Sequence, residues 1–110
     1  MLGIDVVDIE RFRAVLTRCP RMPDRFFTAI ERAHCRETSD PALHLAGTLA
    51  AKEAVMKAMG LTPAPAWARR IEVSHSPTGA PVATVEGTEI SVSLSHDAGV
   101  AVAVALGERE

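Results

Sequence analysis

The stretch "EISVSLSHDAGVAVAVAL", residues 89–106, decides the fold class. Apolar and polar residues alternate strictly from Ile90 to Ser95, and large and small apolar residues alternate from Val100 to Leu106. A period of two is the signature of a strand whose two faces meet different surroundings. "HDAG", residues 96–99, joins the two runs as a hairpin. Upstream, "IEVS" at 71–74 and residues 82–86 within "PVATVE" read as two further strands joined by "HSPTGAP". "LTPAPAWARR", residues 61–70, reads as a proline-containing loop. The C-terminal part of the chain is therefore an antiparallel sheet.

The N-terminal part is mostly helical. Asp40-Pro41 starts a long helix that ends at Gly60. "FFTAIERAHCRE", residues 26–37, opens another, with Thr28 as its cap and Glu31 three residues on, a capping-box pattern. Residues 8–18 carry Ile9, Phe12, Val15 and Leu16 at helical spacing and stop before Pro20; "PRMPD" then reads as a turn. Ahead of them "LGIDVV", residues 2–7, reads as a short buried strand interrupted by Asp5. Helices cluster early and strands late, so the fold class is α+β: one domain, helices packed on an antiparallel sheet.

Composition narrows the function classes. The chain has 110 residues, of which 47% are apolar and only 4% aromatic, so alanine, valine and leucine must fill a modest core. A net charge of −2 leaves no overall nucleic-acid footprint. Locally, however, Arg11, Arg13, Arg18, Arg21, Arg25, Arg32 and Arg36 make the first third arginine-rich, which suits either solvated surface or an acidic partner. Cys19 and Cys35 form no metal-ligand or CxxC pattern and read as idle thiols in a reducing compartment. The N-terminus lacks a secretory pattern and no apolar run is long enough to span a bilayer, so the chain reads as cytoplasmic.

Three polar groups break apolar elements. In "LAGTLAAKEAVMKAMG", residues 45–60, Leu45, Leu49, Met56 and Met59 line one helical face, Lys52 stands in the middle of it, and Glu53 and Lys57 run along its rim. Asp5 interrupts a strand, and His96 sits at the hairpin tip behind Ser93 and Ser95. Each has an ordinary alternative: Asp5 as a helix cap, Glu53 with Lys57 as a surface pair one turn apart, "SLSH" as a polar face and a turn. Together, two carboxylates from different elements with lysines beside them suit a magnesium site for phosphate chemistry. Lys52 then packs its stem while its amine reaches into a cleft.

"GIDVVDIERF", "FTAIERAHC", "LAGTLAAKEAVMKAMG", "IEV", "TGAP" and "VSLSHDAGVAVAVAL" resemble, in order, the holo-acyl-carrier-protein synthase family of phosphopantetheinyl transferases. The resemblance runs from Gly3 to Leu106, and its specific parts are Gly-Ile-Asp with Arg11 six residues after the aspartate, Ala-Lys-Glu-Ala-x-x-Lys, and Ser-x-Ser-His. It implies transfer of the phosphopantetheine arm of coenzyme A to a serine of an acyl carrier protein, with release of adenosine 3′,5′-bisphosphate. Asp5 and Glu53 match metal-binding carboxylates, for magnesium bridging the pyrophosphate as the serine attacks phosphorus. Lys57 matches the lysine beside the leaving phosphate, which makes Asp5, Glu53 and Lys57 the implied catalytic set. Ser93, Ser95 and His96 match the segment closing over coenzyme A, with Lys52 shaping that pocket and Gly60 the residue left of the usual glycine-rich turn. Arg11 matches the family's position for pairing with the acidic helix of the carrier protein, and Arg18, two helical turns on, should project from the same side as part of that docking face.

The short members of the family resemble homotrimers with sites between adjacent subunits, where the alternating Ala101, Ala103 and Ala105 would suit close packing. The sequence departs from the pattern at Thr48-Leu49, where the family has Arg-Phe; at "GLTPAPAW" after Ala58-Met59; and between "TGAP" and "SVSLSH", where the family carries a helix. The alternatives are an impaired member that binds a carrier or another partner without catalysis, and a metal-dependent phosphate enzyme with a different substrate.

Overall fold

The computed structural model describes residues 1–62 and 64–107. The two alternating runs form β4 (Thr88–Asp97) and β5 (Val100–Leu106), with Val92, Leu94 and His96 opposite Ala105, Ala103 and Ala101. Ala98 and Gly99 both have positive φ, the two-residue turn whose twist suits a hairpin. A second such turn, Glu86-Gly87, joins β3 (Pro81–Val85) to β4, and β2 (Ile71–His75) pairs with β3. The first strand, β1 (Leu2–Asp8), pairs with β5, giving an antiparallel order β1-β5-β4-β3-β2. The stretch between "TGAP" and "SVSLSH" is thus a bare hairpin, as the sequence suggested.

Helices cover one face. α1 (Ile9–Arg18) is capped by Asp8, whose carboxylate accepts the Arg11 N–H; it is Asp8, not Asp5, that caps. α3 (Ala29–Arg36) has the expected capping box of Thr28 and Glu31. α4 (Pro41–Ala58) starts at the Asp40 cap. Arg13 grips the Asp40 carboxylate at 2.9 and 2.8 Å, tying α1 to the start of α4 and holding that carboxyl down at about 2. Two short helices replace expected turn and loop: α2 (Met22–Phe26) and α5 (Pro65–Ala68), each with proline in its first turn, where a missing N–H does no harm.

Two expectations are reversed by which face the helices cover. Ala101, Ala103 and Ala105 are 1%, 1% and 0% exposed because they point at α4, not toward a neighbouring subunit. The valines and leucine of β5 turn outward beside Ile4, Val6 and Leu2 of β1, through the pairs Ile4–Val104, Val6–Val102 and Leu2–Leu106. β1 is therefore not a buried strand: Leu2, Ile4 and Val6 are 69%, 56% and 58% exposed in the single chain.

Small residues let α4 sink onto the sheet. A Cβ on Gly3 would lie 2.0 Å from the Ala54 carbonyl oxygen and 2.7 Å from the Ala58 nitrogen, so β1 and α4 touch backbone to backbone. Gly3→Ala should therefore cost about 3 kcal/mol by forcing the two apart, read as a fall in Tm. Wild-type stability in that variant would mean that β1 is free to shift.

Candidate active site

From Leu45 to Ala58, α4 is buried all round except at Leu49, Glu53 and Lys57. Those residues are four apart, so they form one open stripe along the helix. Leu49 is at the edge of this stripe, half-buried and packed against the cluster that holds Leu45. Next to it stands Asp5, on the inward face of β1 in one row with Ala103 and Leu94.

Lys57 Nζ donates to Asp5 Oδ1 and to the Ile4 carbonyl oxygen, both at 3.0 Å. The Asp5 side chain is 13% exposed, and its second oxygen, Oδ2, is buried without a hydrogen-bond partner among the described residues. Glu53 lies close enough to Asp5 for the two carboxyls to act on each other. Its carboxyl is pushed up to about 7, by burial first and then by the Asp5 carboxylate, which can accept a hydrogen bond only from the protonated form; Lys57 opposes the shift. The structure thus brings Asp5, Glu53 and Lys57 together. Two crowded carboxylates with one oxygen unserved favour the arrival of positive charge, and oxygen donors of this kind fit a hard divalent cation. Among the described residues no group of three or more histidine, cysteine or acidic side chains converges in a ligating arrangement. A cation held here would need the rest of its shell from outside these two carboxylates.

The other expected site residues lie elsewhere. Lys52 does not reach a cleft: its side chain is fully buried, its ammonium bonded to Glu31 and set over the Phe27 ring at 5.5 Å from the centroid. One residue from Glu53 means about 100° of rotation round the helix, which points Lys52 into the protein. Glu31 was legible only as a cap; nothing in its spacing announced the lysine. Gly60, with φ +71°, turns the chain off the end of α4. His96 is exposed near the end of β4, in the row of Ala101 and Val7. Ser93 and Ser95 share the outward face with Val104 and Val102, on the opposite side of the sheet from Asp5. Within one chain the two serines do not join the carboxylates.

Thr48 is buried and its hydroxyl donates to the His44 carbonyl, so it offers no cation to the open stripe. Arg11 and Arg18 are both exposed on α1. Beside them an apolar hollow of about 430 Å³, floored by Val15, Met22 and Phe26, is flanked by Arg21 and Arg25. Arg21 is the N-cap of α2 and Arg25 lies in its last turn, so the short helix places both on this surface. Cys19 is exposed and Cys35 buried, both as free thiols. No helix among the described residues is long and apolar enough to cross a membrane.

Comparison with known proteins agrees with this geometry. The sequence profile of the 4′-phosphopantetheinyl transferase superfamily matches residues 1–105. The holo-[acyl-carrier-protein] synthase of Beutenbergia cavernae is 42% identical, over 98% of this chain and 97% of that one. Among solved structures, Helicobacter pylori holo-[acyl-carrier-protein] synthase in complex with coenzyme A superposes with a TM-score of 0.84 at 32% identity, covering 96% of this chain and 98% of that one. The Bacillus anthracis synthase in complex with coenzyme A (3′,5′-ADP) gives 0.80 at 30% identity, covering 94% and 91%. The ordered motifs, the helix-on-sheet fold and these relatives lead to one conclusion: the chain belongs to the holo-acyl-carrier-protein synthase family of the 4′-phosphopantetheinyl transferase superfamily.

Proposed function

We propose that this protein transfers the 4′-phosphopantetheine arm of coenzyme A to a serine of a carrier protein, releasing adenosine 3′,5′-bisphosphate. The observation that carries the reading is the Asp5–Glu53–Lys57 group with its unserved Asp5 oxygen, in a chain whose relatives bear the synthase name. Asp5 and Glu53 would hold magnesium, which when bound neutralises charge on the pyrophosphate. Lys57, already fixed by two acceptors and 49% exposed, is placed to balance the charge that develops on the leaving phosphate. The alanine bed behind the carboxylates holds them in place, so little reorganisation accompanies the transfer. Mass spectrometry of an apo-carrier protein incubated with coenzyme A and magnesium tests the reading by the added arm.

The outward apolar face of β1 and β5 supports a homotrimer in which Ser93, Ser95 and His96 of one subunit complete the site of another. Ser93 and Ser95 stand on that face, away from the carboxylates of their own chain, and His96 is exposed at the end of the same strand, which is what such sharing requires. A cytoplasmic role in priming the carrier of fatty acid biosynthesis follows from the same reading. Thr48, which offers no cation where the family has arginine, is the observation that favours the other reading, a carrier-binding module without transfer. An unmodified carrier that nonetheless binds would establish it.

The exposed Arg11 and Arg18 fit the acidic helix beside a carrier's reactive serine. Arg11→Glu should raise KM for the carrier at least about tenfold through charge repulsion at the docking face, with KM for coenzyme A unchanged. The effect should exceed that of Arg11→Ala and shrink with added salt. Loss of coenzyme A affinity instead would move Arg11 into the nucleotide pocket.

A further inference from the structure

Much of the surface that α4 buries is made of Ala46, Gly47, Ala50, Ala51, Ala54 and Ala58. Contacts of that kind are non-directional and carry no protrusion that fixes how far the helix is turned. Turning matters here, because a rotation by one residue would bury Glu53 and expose a neighbour in its place. Besides the bonds of Lys57 to β1 and of Arg13 to the helix start, one contact with a direction lies inside this buried surface. The Glu31 carboxylate accepts from Lys52 Nζ, from the Val73 N–H at 2.6 Å and from the Thr28 N–H at 2.9 Å. The Thr28 hydroxyl in turn donates to Glu72 at 2.7 Å, so α4, the start of α3 and β2 are joined at a single buried point.

We propose that the buried Glu31–Lys52 contact is a positioning element of the active site, fixing the rotation of α4 so that Glu53 and Lys57 stay aimed at Asp5. This rests on the reading of those three residues as the transfer site. Gly3 sets how close β1 comes to α4; Lys52 sets which side of α4 faces it. A buried pair suits this work because any other rotation strands a desolvated charge, and fixing register is the best attested use of such pairs. Glu31 and Lys52 touch neither substrate nor cation and act through the helix.

Two variants separate positioning from cohesion. Glu31→Gln drops the charge and keeps one acceptor oxygen, enough for Lys52 and the Thr28 N–H, while its amide NH2 stands where the Val73 N–H was accepted. Lys52→Met keeps the stem and deletes the contact. Both should lower Tm. Measured well below each Tm, Lys52→Met should lose about tenfold in kcat and about tenfold in affinity for manganese, used as the probe cation, with KM for coenzyme A unchanged. Glu31→Gln should stay within about threefold of wild type on every count, since the direction of the contact survives. A Lys52→Met protein with wild-type kcat and manganese affinity overturns the proposal, as does Glu31→Gln impaired to the same degree as Lys52→Met. Should Lys52→Met fail to fold, the double variant Glu31→Gln/Lys52→Met, which leaves no unpaired charge, is judged by the Lys52→Met criteria. A wild-type protein that binds manganese but modifies no carrier refutes the transfer reading alone, and the manganese comparison still decides the role of the pair.

Discussion

Glu53→Ala is expected to lower phosphopantetheine transfer by about a thousandfold, the scale on which removal of one preorganised electrostatic group acts, without unfolding the protein. Asp5→Ala should do the same. Glu53 lies on the one open stripe of α4, so truncation leaves no cavity in the core. Its raised carboxyl makes a second, opposite effect on stability. With cation removed by a chelator, the folded state holds the Glu53 proton up to about pH 7, whereas the ordinary value is 4.5. The stabilising effect of that proton is therefore full below 4.5 and is lost as pH rises through about 7. Above that range wild type buries a second negative charge beside Asp5, and Glu53→Ala does not. The variant should thus be at least as stable as wild type at pH 8 in chelator, with thermal unfolding and carrier mass spectrometry as the paired measurements. Full magnesium-dependent transfer by Glu53→Ala would show that the site lies elsewhere.

Val104→Asp should break the assembly and, with it, transfer. Val104 stands mid-strand on the outward face, paired with Ile4 on one side and Ser93 on the other. It touches none of Asp5, Glu53 or Lys57, which lie across the sheet. A carboxylate there would have to be desolvated in any interface that covers the face, at a penalty of several kcal/mol. Light scattering should then report one chain of 11.7 kDa in place of three, and transfer should fall about a hundredfold or more because Ser93, Ser95 and His96 no longer reach a neighbouring site. A monomeric Val104→Asp protein with full activity would refute the shared site. A variant that still assembles would put the interface on another surface.

The alternation in residues 89–106 announced a two-faced hairpin, but not which face was the core. Valine is the larger residue and alanine the weaker hydrophobe, so composition alone favours valine inside. What overrides it is the long helix, whose closeness to β1 is dictated by Gly3 and leaves room only for methyl groups. The capping box was legible because it is local, three residues along one turn. The Glu31–Lys52 contact was not, because it joins residues 21 apart and leaves no spacing to read. Asp5, Glu53 and Lys57 stood out as polar residues within apolar elements, and their convergence depends on the same close helix–strand contact. The two short helices were hidden by their prolines, which mark helix starts as readily as turns.

Alanine and glycine have no rotamers. The layer beneath the carboxylates, formed by Gly3, Ala54, Ala58, Ala103 and Ala105, can therefore neither repack when a ligand arrives nor recover lost side-chain entropy when it leaves. Whatever ordering coenzyme A imposes must fall on the exposed side chains and on the incoming molecule itself. Successive catalytic cycles would begin from the same floor, with the thermal motion of the site confined to its lysine and its rim.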